Sequence, residues 1–246
     1  MTTPQFAQTP GCLLGFDTST EVMAVGLQAG GHLFTAQAAG GAAASSALLP
    51  HIHALLAQAG VRFADLDAVA FGQGPGAFTG LRTACAVAQG IGLALGKPLL
   101  PIDSLLLVAE DARGQTGADD VVVLMDARMD EVYAGHYAWQ ADRWQVLQAP
   151  ALYGLAALHA LWQPLPPSMF AGSALAAFGG RLGLPKDSGW CEMEADRAAA
   201  LMRLAAQAMT AGQAVDPAQA LPLYTRDKVA LTTQERAAAR AAAGAT

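Results

Sequence analysis

The sequence predicts a two-lobed α/β protein in which each lobe is a mixed sheet covered by helices. Three observations predict it. A strand, a glycine turn, a helix and a second strand follow one another without a break across residues 67–103. A unit of strand, aspartate, short turn and Glu-Val-x-Ala hairpin occurs twice, at residues 13–27 and 121–135, and two copies of one unit imply two similar lobes facing a cleft. The length of 246 residues suits one large domain or two lobes of ordinary size.

Leu13 to Phe16 read as an apolar strand ending in Asp17. Thr18, Ser19 and Thr20 turn the chain into a second strand over residues 21–27, and Gly30 and Gly31 open a third. Residues 46–59 then carry Leu48, Leu49, Ile52, Leu55 and Leu56 at helical spacing, a stripe wide enough for both a core and a partner. Ala68 to Phe71 form a short apolar run closed by Gly72, Gly74, Pro75 and Gly76, the pattern of a buried strand ending in a tight turn. Thr79 stands where a helix begins, and Leu81, Ala84, Cys85, Ala88, Ile91, Gly92 and Leu95 repeat at helical spacing up to Gly96, Lys97 and Pro98. Within it Ala84, Ala88, Gly92 and Gly96 recur every four residues, so another helix can approach closely.

A strand closing at Asp103 follows. The second copy runs from Val121 to Met125, passes Asp126, resumes at residues 131–135 and adds a strand at residues 144–147. After Met169 and Phe170, Ala171-Gly172-Ser173 is a thin glycine turn before a short helix closed by Gly179 and Gly180. The expected division is a first lobe over residues 1–103, a second over 104–212, and a C-terminal segment, 213–246, of which residues 217–229 return to brace the first lobe. The ending QERAAARAAAGAT is a polar, alanine-rich extension to which no role is assigned.

Composition narrows the function classes. Charged residues are 14% and hydrophobic ones 53%, which leaves plain helix faces that invite partner helices. A net charge of −6 argues against gripping nucleic acid unaided, because phosphate binding needs clustered Lys and Arg. Cys12, Cys85 and Cys191 are isolated and odd in number, as expected of reduced thiols in a cytoplasmic protein. No apolar run reaches the roughly 20 residues of a membrane span, and MTTPQFAQTP lacks the basic start and apolar centre of a secretion signal.

Several sites of chemistry can be weighed. Gly72, Gly74 and Ala77 match the permissive dinucleotide pattern, with Asp103 near the place of a ribose-binding acid. Against this, Pro75 removes a turn amide and the acid lies beyond the usual spacing. A phosphate-binding Walker loop fits worse, since Gly80 is followed by Leu81 and Arg82. Asp17 with Thr18 and Ser19 is the chemical beginning of a magnesium or phosphate site, or else a turn cap. His51 and His53 point about 200° apart on a helix, and His32, His136 and His159 lack ligands at metal spacing. Ser173 lacks the flanking glycines of a nucleophile elbow. No catalytic constellation and no metal site are expected.

The runs LLGFDTSTEVMAVGL, SALLPHIHALL, AFGQGPGAFTGLRTACAVAQGIGLALGKPLLPIDSL, DARMDEVYAG and PLYTRDKVA resemble, in order, those of the TsaB (YeaZ) proteins of bacterial threonylcarbamoyladenosine (t6A) synthesis. The Gly-Pro-Gly-x-Phe-Thr-Gly-Leu-Arg element at residues 74–82 is the most diagnostic. The resemblance implies the duplicated actin-like ATPase fold, the class of actin, sugar kinases and Hsp70 (ASKHA). It also implies a non-catalytic subunit that forms a heterodimer with the metal-bearing homologue TsaD and is joined by the ATPase TsaE. That assembly moves a threonylcarbamoyl group from its adenylate to the adenosine beside the anticodon of tRNAs reading codons that begin with A.

On that reading tRNA is met only through the complex, no cofactor is required, and ATP or ADP binds weakly or at the partner interface. The isolated chain has the option of pairing with itself. The partner interface falls on the two N-terminal helices, at Leu48, Leu49, Ile52, Leu55, Phe78, Thr79, Leu81, Arg82, Cys85, Ala88 and Gly92, where Ala88→Trp should block it. Asp17, Thr18, Ser19, Gly74, Gly76, Thr79, Gly80 and Arg82 form a glycine-turn site with a candidate phosphate contact. The alternative is an ASKHA-type nucleotide-binding ATPase or kinase-like protein acting alone, with Asp17 and Asp126 as its two acids. Two departures from the family pattern stand out: Ser45-Ser46-Ala47 replaces His-Ser-Glu, and Thr225 replaces leucine between Tyr224 and Arg226.

Overall fold

A computed structural model describes residues 11–158, 167–185 and 187–226. β1 (Cys12–Asp17), β2 (Val22–Ala29) and β3 (His32–Ala39) form an antiparallel meander; β4 (Ala68–Gly74) joins β1 in parallel and β5 (Leu99–Asp103) joins β4. In the second sheet β6 (Asp120–Asp126), β7 (Glu131–Gln140) and β8 (Arg143–Gly154) repeat the meander, with β9 (Met169–Ala171) and β10 (Gly189–Cys191) added in parallel. The orders β3-β2-β1-β4-β5 and β8-β7-β6-β9-β10 correspond strand for strand. The duplicated actin-like architecture is therefore present. The repeated Glu-Val-x-Ala motif is out of step by two residues, because Ala24 pairs with Asp17 whereas Val132 pairs with Asp126.

Helices α1 (Ala44–Ala59) and α2 (Phe78–Leu95) cover one face of the first sheet, with Leu48, Ile52, Leu55, Ala84, Cys85 and Ala88 against Leu14, Phe16, Val25 and Leu27. α2 ends at Gly96, whose φ of 63° is left-handed and whose amide closes on the Gly92 carbonyl. By length and composition alone α2, at 18 residues, is apolar enough to cross a membrane; here its inner face lies on the sheet.

The connection between the halves is a crossing that periodicity does not announce. α3 (Ser104–Thr116) packs Leu105, Val108, Ala109 and Ala112 on Val121, Val123 and Tyr137 of the second sheet. α4 (Leu155–Leu158) and α5 (Ala174–Phe178) lie on that sheet's other side, while α6 (Arg197–Thr210) lays Leu201, Met202, Leu204 and Ala205 on Leu13, Ala68, Ala70 and Leu100 of the first. α3 and α6, which follow the last strand of each sheet, thus cover the other sheet, because a mixed sheet buried on both faces needs helices on both. Residues 197–210, read from the sequence as second lobe, pack into the core of the first.

The C-terminal segment runs back along the first lobe as far as Tyr224, and Arg226 then reaches the second. Val215 exchanges backbone hydrogen bonds with Leu99 at 3.0 and 2.8 Å, the Ala220 carbonyl accepts from Gln89 at 2.9 Å, and the Leu223 amide donates to the Gln73 carbonyl at 2.7 Å. His159, residues 227–229 of the expected brace and the alanine-rich ending lie outside the described residues.

Candidate functional site

Asp17, at the end of β1, is 0% exposed. Its Oδ1 accepts from the Ser19 amide at 3.0 Å, the Ser19 hydroxyl at 2.8 Å and Arg197 Nε at 3.0 Å, while Oδ2 accepts from the Ser104 hydroxyl at 2.9 Å. Arg197, 2% exposed at the start of α6, also donates to Ser19 Oγ at 3.0 Å and to the Ser104 carbonyl at 3.3 Å, and pairs with Glu194. Burial works against its charge, but the Asp17 and Glu194 carboxylates outweigh this and hold the guanidinium pKa above its ordinary value. The chain's own guanidinium therefore occupies the place beside Asp17 where a hydrated cation and a phosphate would otherwise meet.

The glycine turn closes on the same spot. A Cβ on Gly72 would lie 1.6 Å from Asp17 Oδ2, one on Gly76 2.5 Å from the Ser19 carbonyl, and one on Gly80 1.8 Å from the Thr18 carbonyl. The Thr18 hydroxyl donates to the Gly80 carbonyl at 2.6 Å, the Ala77 amide to Ser19 at 2.8 Å and the Gly74 amide to Ser104 Oγ at 3.1 Å. These glycines allow two turns to pack backbone on backbone. Most of the residues expected at a phosphate contact, Asp17, Thr18, Ser19, Gly74, Gly76 and Gly80, bond to or pack against one another or their neighbours here, and Ser19 and Gly76 also line the cleft beside them. Thr79 is exposed and does not cap α2, whose N-cap position is Ala77. Arg82 stacks 3.9 Å from the Phe78 ring centroid and donates to the Tyr224 hydroxyl at 3.0 Å.

Beside this turn, and lined in part by its Ser19, Gly76 and Ala77, a cleft of about 540 Å³ opens between the lobes. Asp126, Arg128 and Ser173 on the second lobe face Ser19, Glu21 and Phe78 on the first. Asp126 accepts from the Arg128 amide at 2.8 Å, and Arg128 reaches across to Glu21 at 3.1 Å. Both expected acids therefore stand at the cleft, but Asp17 lies behind its wall and Asp126 is paired on the rim.

Asp103 takes a role other than ribose binding. It caps α3 through the Leu105 amide at 2.8 Å and accepts from the hydroxyl of Tyr137, buried in the second sheet, at 2.7 Å. Burial raises its pKa from the ordinary 3.8 to about 6, against the lowering effect of these donors. The folded protein therefore holds this proton more tightly than the unfolded chain. The stabilisation is full below pH 3.8 and is lost as pH rises through about 6. It amounts to about 3 kcal/mol by linkage. The stability of the wild type relative to Asp103→Asn is expected to rise by about that amount between pH 7 and about pH 3 in urea titrations. A pH-independent difference would contradict the assignment.

A family model described as "TsaD: tRNA N6-adenosine threonylcarbamoyltransferase" matches residues 40–243. The tRNA threonylcarbamoyladenosine biosynthesis protein TsaB of Escherichia coli is 30% identical over 228 residues, 89% of this chain and 96% of that protein. The chain belongs to the TsaB (YeaZ) family. TsaB of Haemophilus influenzae is 39% identical over 121 residues, a match spanning 49% of this chain and 51% of that protein. Among solved structures, YeaZ from Pseudomonas aeruginosa superposes with a TM-score of 0.79 at 34% identity, covering 87% of this chain and 99% of that one.

Membership ties the chain to t6A biosynthesis, and the structure revises which of its residues can meet another protein. Leu48, Ile52, Leu55, Leu81, Cys85, Ala88 and Gly92, expected at an interface, are buried in the TsaB-type first lobe. The apolar stripe serves the sheet first, so Ala88→Trp would drive an indole into a residue site that is 0% exposed. Leu49, Phe78, Thr79 and Arg82 face outward. The outer side of α2 carries its own small stripe, Ala86, Gly90 and Ala94, beside Leu93 at 62% exposure. Sequence reasoning missed Arg197, Glu194 and Ser104. The run Glu194-Ala195-Asp196-Arg197 before an alanine-rich helix was visible, but charged residues in a first helical turn ordinarily face water.

Proposed function

We propose that this chain is a non-catalytic scaffold and activator of cytoplasmic t6A modification. It pairs with a TsaD-type subunit, with a TsaE-type ATPase joining them, for threonylcarbamoyl transfer to the adenosine beside the anticodon of tRNAs reading codons that begin with A. The observation that carries the non-catalytic reading is the Asp17 carboxylate, which is fully buried and saturated by four donors including Arg197. The Arg197 guanidinium already supplies beside this carboxylate the positive charge that a bound cation would bring. Pairing is supported by the outer faces of α1 and α2, where Leu49, Leu93, Ala86, Gly90 and Ala94 offer a nearly uncharged surface with room for close helix approach.

The test is Gly90→Trp. A Cβ at Gly90 meets nothing within 4 Å, so the indole projects outward and the fold is kept. Affinity for the cognate TsaD-type protein, measured by calorimetry, is expected to fall about 100-fold or more, and tRNA modification to fall with it. Unchanged affinity would reject this face as the contact with the TsaD-type subunit. The cleft of about 540 Å³ favours the second reading, a nucleotide-binding protein acting alone. ATP turnover by the isolated chain would establish that reading instead.

A further inference from the structure

The cleft is held by unequal contacts on its two sides. At its floor, α3 and α6 lie against each other, Arg197 is buried with Asp17 and Ser104, and the half-buried Asp103–Tyr137 bond joins the two sheets. At its mouth the lobes are joined by residues 223–226 and by the Arg128–Glu21 ion pair, whose side chains are 71% and 78% exposed. An ion pair that exposed holds little.

Residues 223–226 are anchored at both ends. On the first lobe the Leu223 amide donates to Gln73, and Tyr224 stacks on Phe78 with ring centroids 5.2 Å apart while accepting from Arg82. On the second lobe Arg226 donates to the Ala127 carbonyl at 2.8 Å and pairs with Glu131 at 2.8 Å, its side chain 12% exposed. Between the anchors the Thr225 hydroxyl is enclosed and has no hydrogen-bond partner among the described residues. An enclosed hydroxyl without a partner favours any state in which water reaches it, by a factor of about ten.

We propose that residues 223–226 are a releasable strap that latches the two lobes across the cleft, with Arg226 as the catch. When Arg226 leaves Glu131 and Ala127, the lobes part at the mouth and pivot on the buried floor. Parting gives water and ligands access to the apolar walls formed by Phe78, Leu81, Met125 and Tyr133. The Thr225 hydroxyl keeps the closed state from being too stable to release. This inference stands on the fold and does not depend on the pairing proposed above.

Hydrogen exchange read by mass spectrometry on the full chain tests it with two variants of opposite sign. Arg226→Met is expected to speed exchange about tenfold at the Leu223 amide and in the Ala127 to Glu131 turn, leaving β1 and β4 unchanged. Thr225→Val, which removes the hydroxyl at constant shape, is expected to slow exchange at the same amides several-fold. Unaltered exchange at these amides in either variant would overturn the strap. So would a rise spread evenly over both sheets in Arg226→Met, because that is general destabilisation rather than a latch.

Discussion

Replacing Arg197 with methionine is expected to cost the fold about 3–5 kcal/mol, the range for removing one partner of a buried ion pair. The reason is what remains: an Asp17 carboxylate at 0% exposure with only three neutral donors and no counter-charge. Methionine fills much of the volume, so the loss is electrostatic rather than a cavity effect. Asp17→Asn in the same background is expected to recover a large share, since a neutral amide needs no guanidinium, and urea unfolding of the four combinations yields the coupling directly. A loss below about 1 kcal/mol for Arg197→Met would show that Asp17 is not held by this pair. The carboxylate would then be free to take a cation in Arg197's place.

The second large effect separates two glycines on one helix. Gly80→Ala is expected to destabilise by about 3 kcal/mol or more, because the new methyl would start 1.8 Å from the Thr18 carbonyl oxygen and only backbone movement can relieve that. The movement also breaks the Thr18 hydroxyl bond to the Gly80 carbonyl. Gly90→Ala, nearly three turns further along α2, is expected to stabilise by about 0.5–1 kcal/mol, since nothing lies within 4 Å of its Cβ. Thermal unfolding of the two variants side by side measures the contrast. Equal effects would mean that the turn at Thr18 and the start of α2 do not pack as described.

What was legible in the sequence depended on range. The strands around Asp17 and Asp126, the glycine turn, α2 and β5 are written in patterns shorter than about 20 residues, and the paired motif exposed the duplication although its hairpins are out of step. The helix bearing Leu48 and Ile52 was legible too, yet its outward face was not. α2 carries two small-residue stripes, Ala84-Ala88-Gly92 and Ala86-Gly90-Ala94, set about 200° apart by their offset of two residues. Periodicity cannot say which meets the sheet; the sheet takes the first and leaves the second to solvent.

The order of the elements, the two-fold repeat and the need for glycine between β4 and α2 were determined by the sequence alone, because each arises from neighbours along the chain. Tertiary structure decided what those residues are for. Arg197 lies 180 positions from Asp17, and their meeting depends on α6 crossing to the opposite sheet, which no local pattern encodes. A turn with the residues of a phosphate cradle became a self-bonded joint because a cation arriving on another helix satisfied its carboxylate.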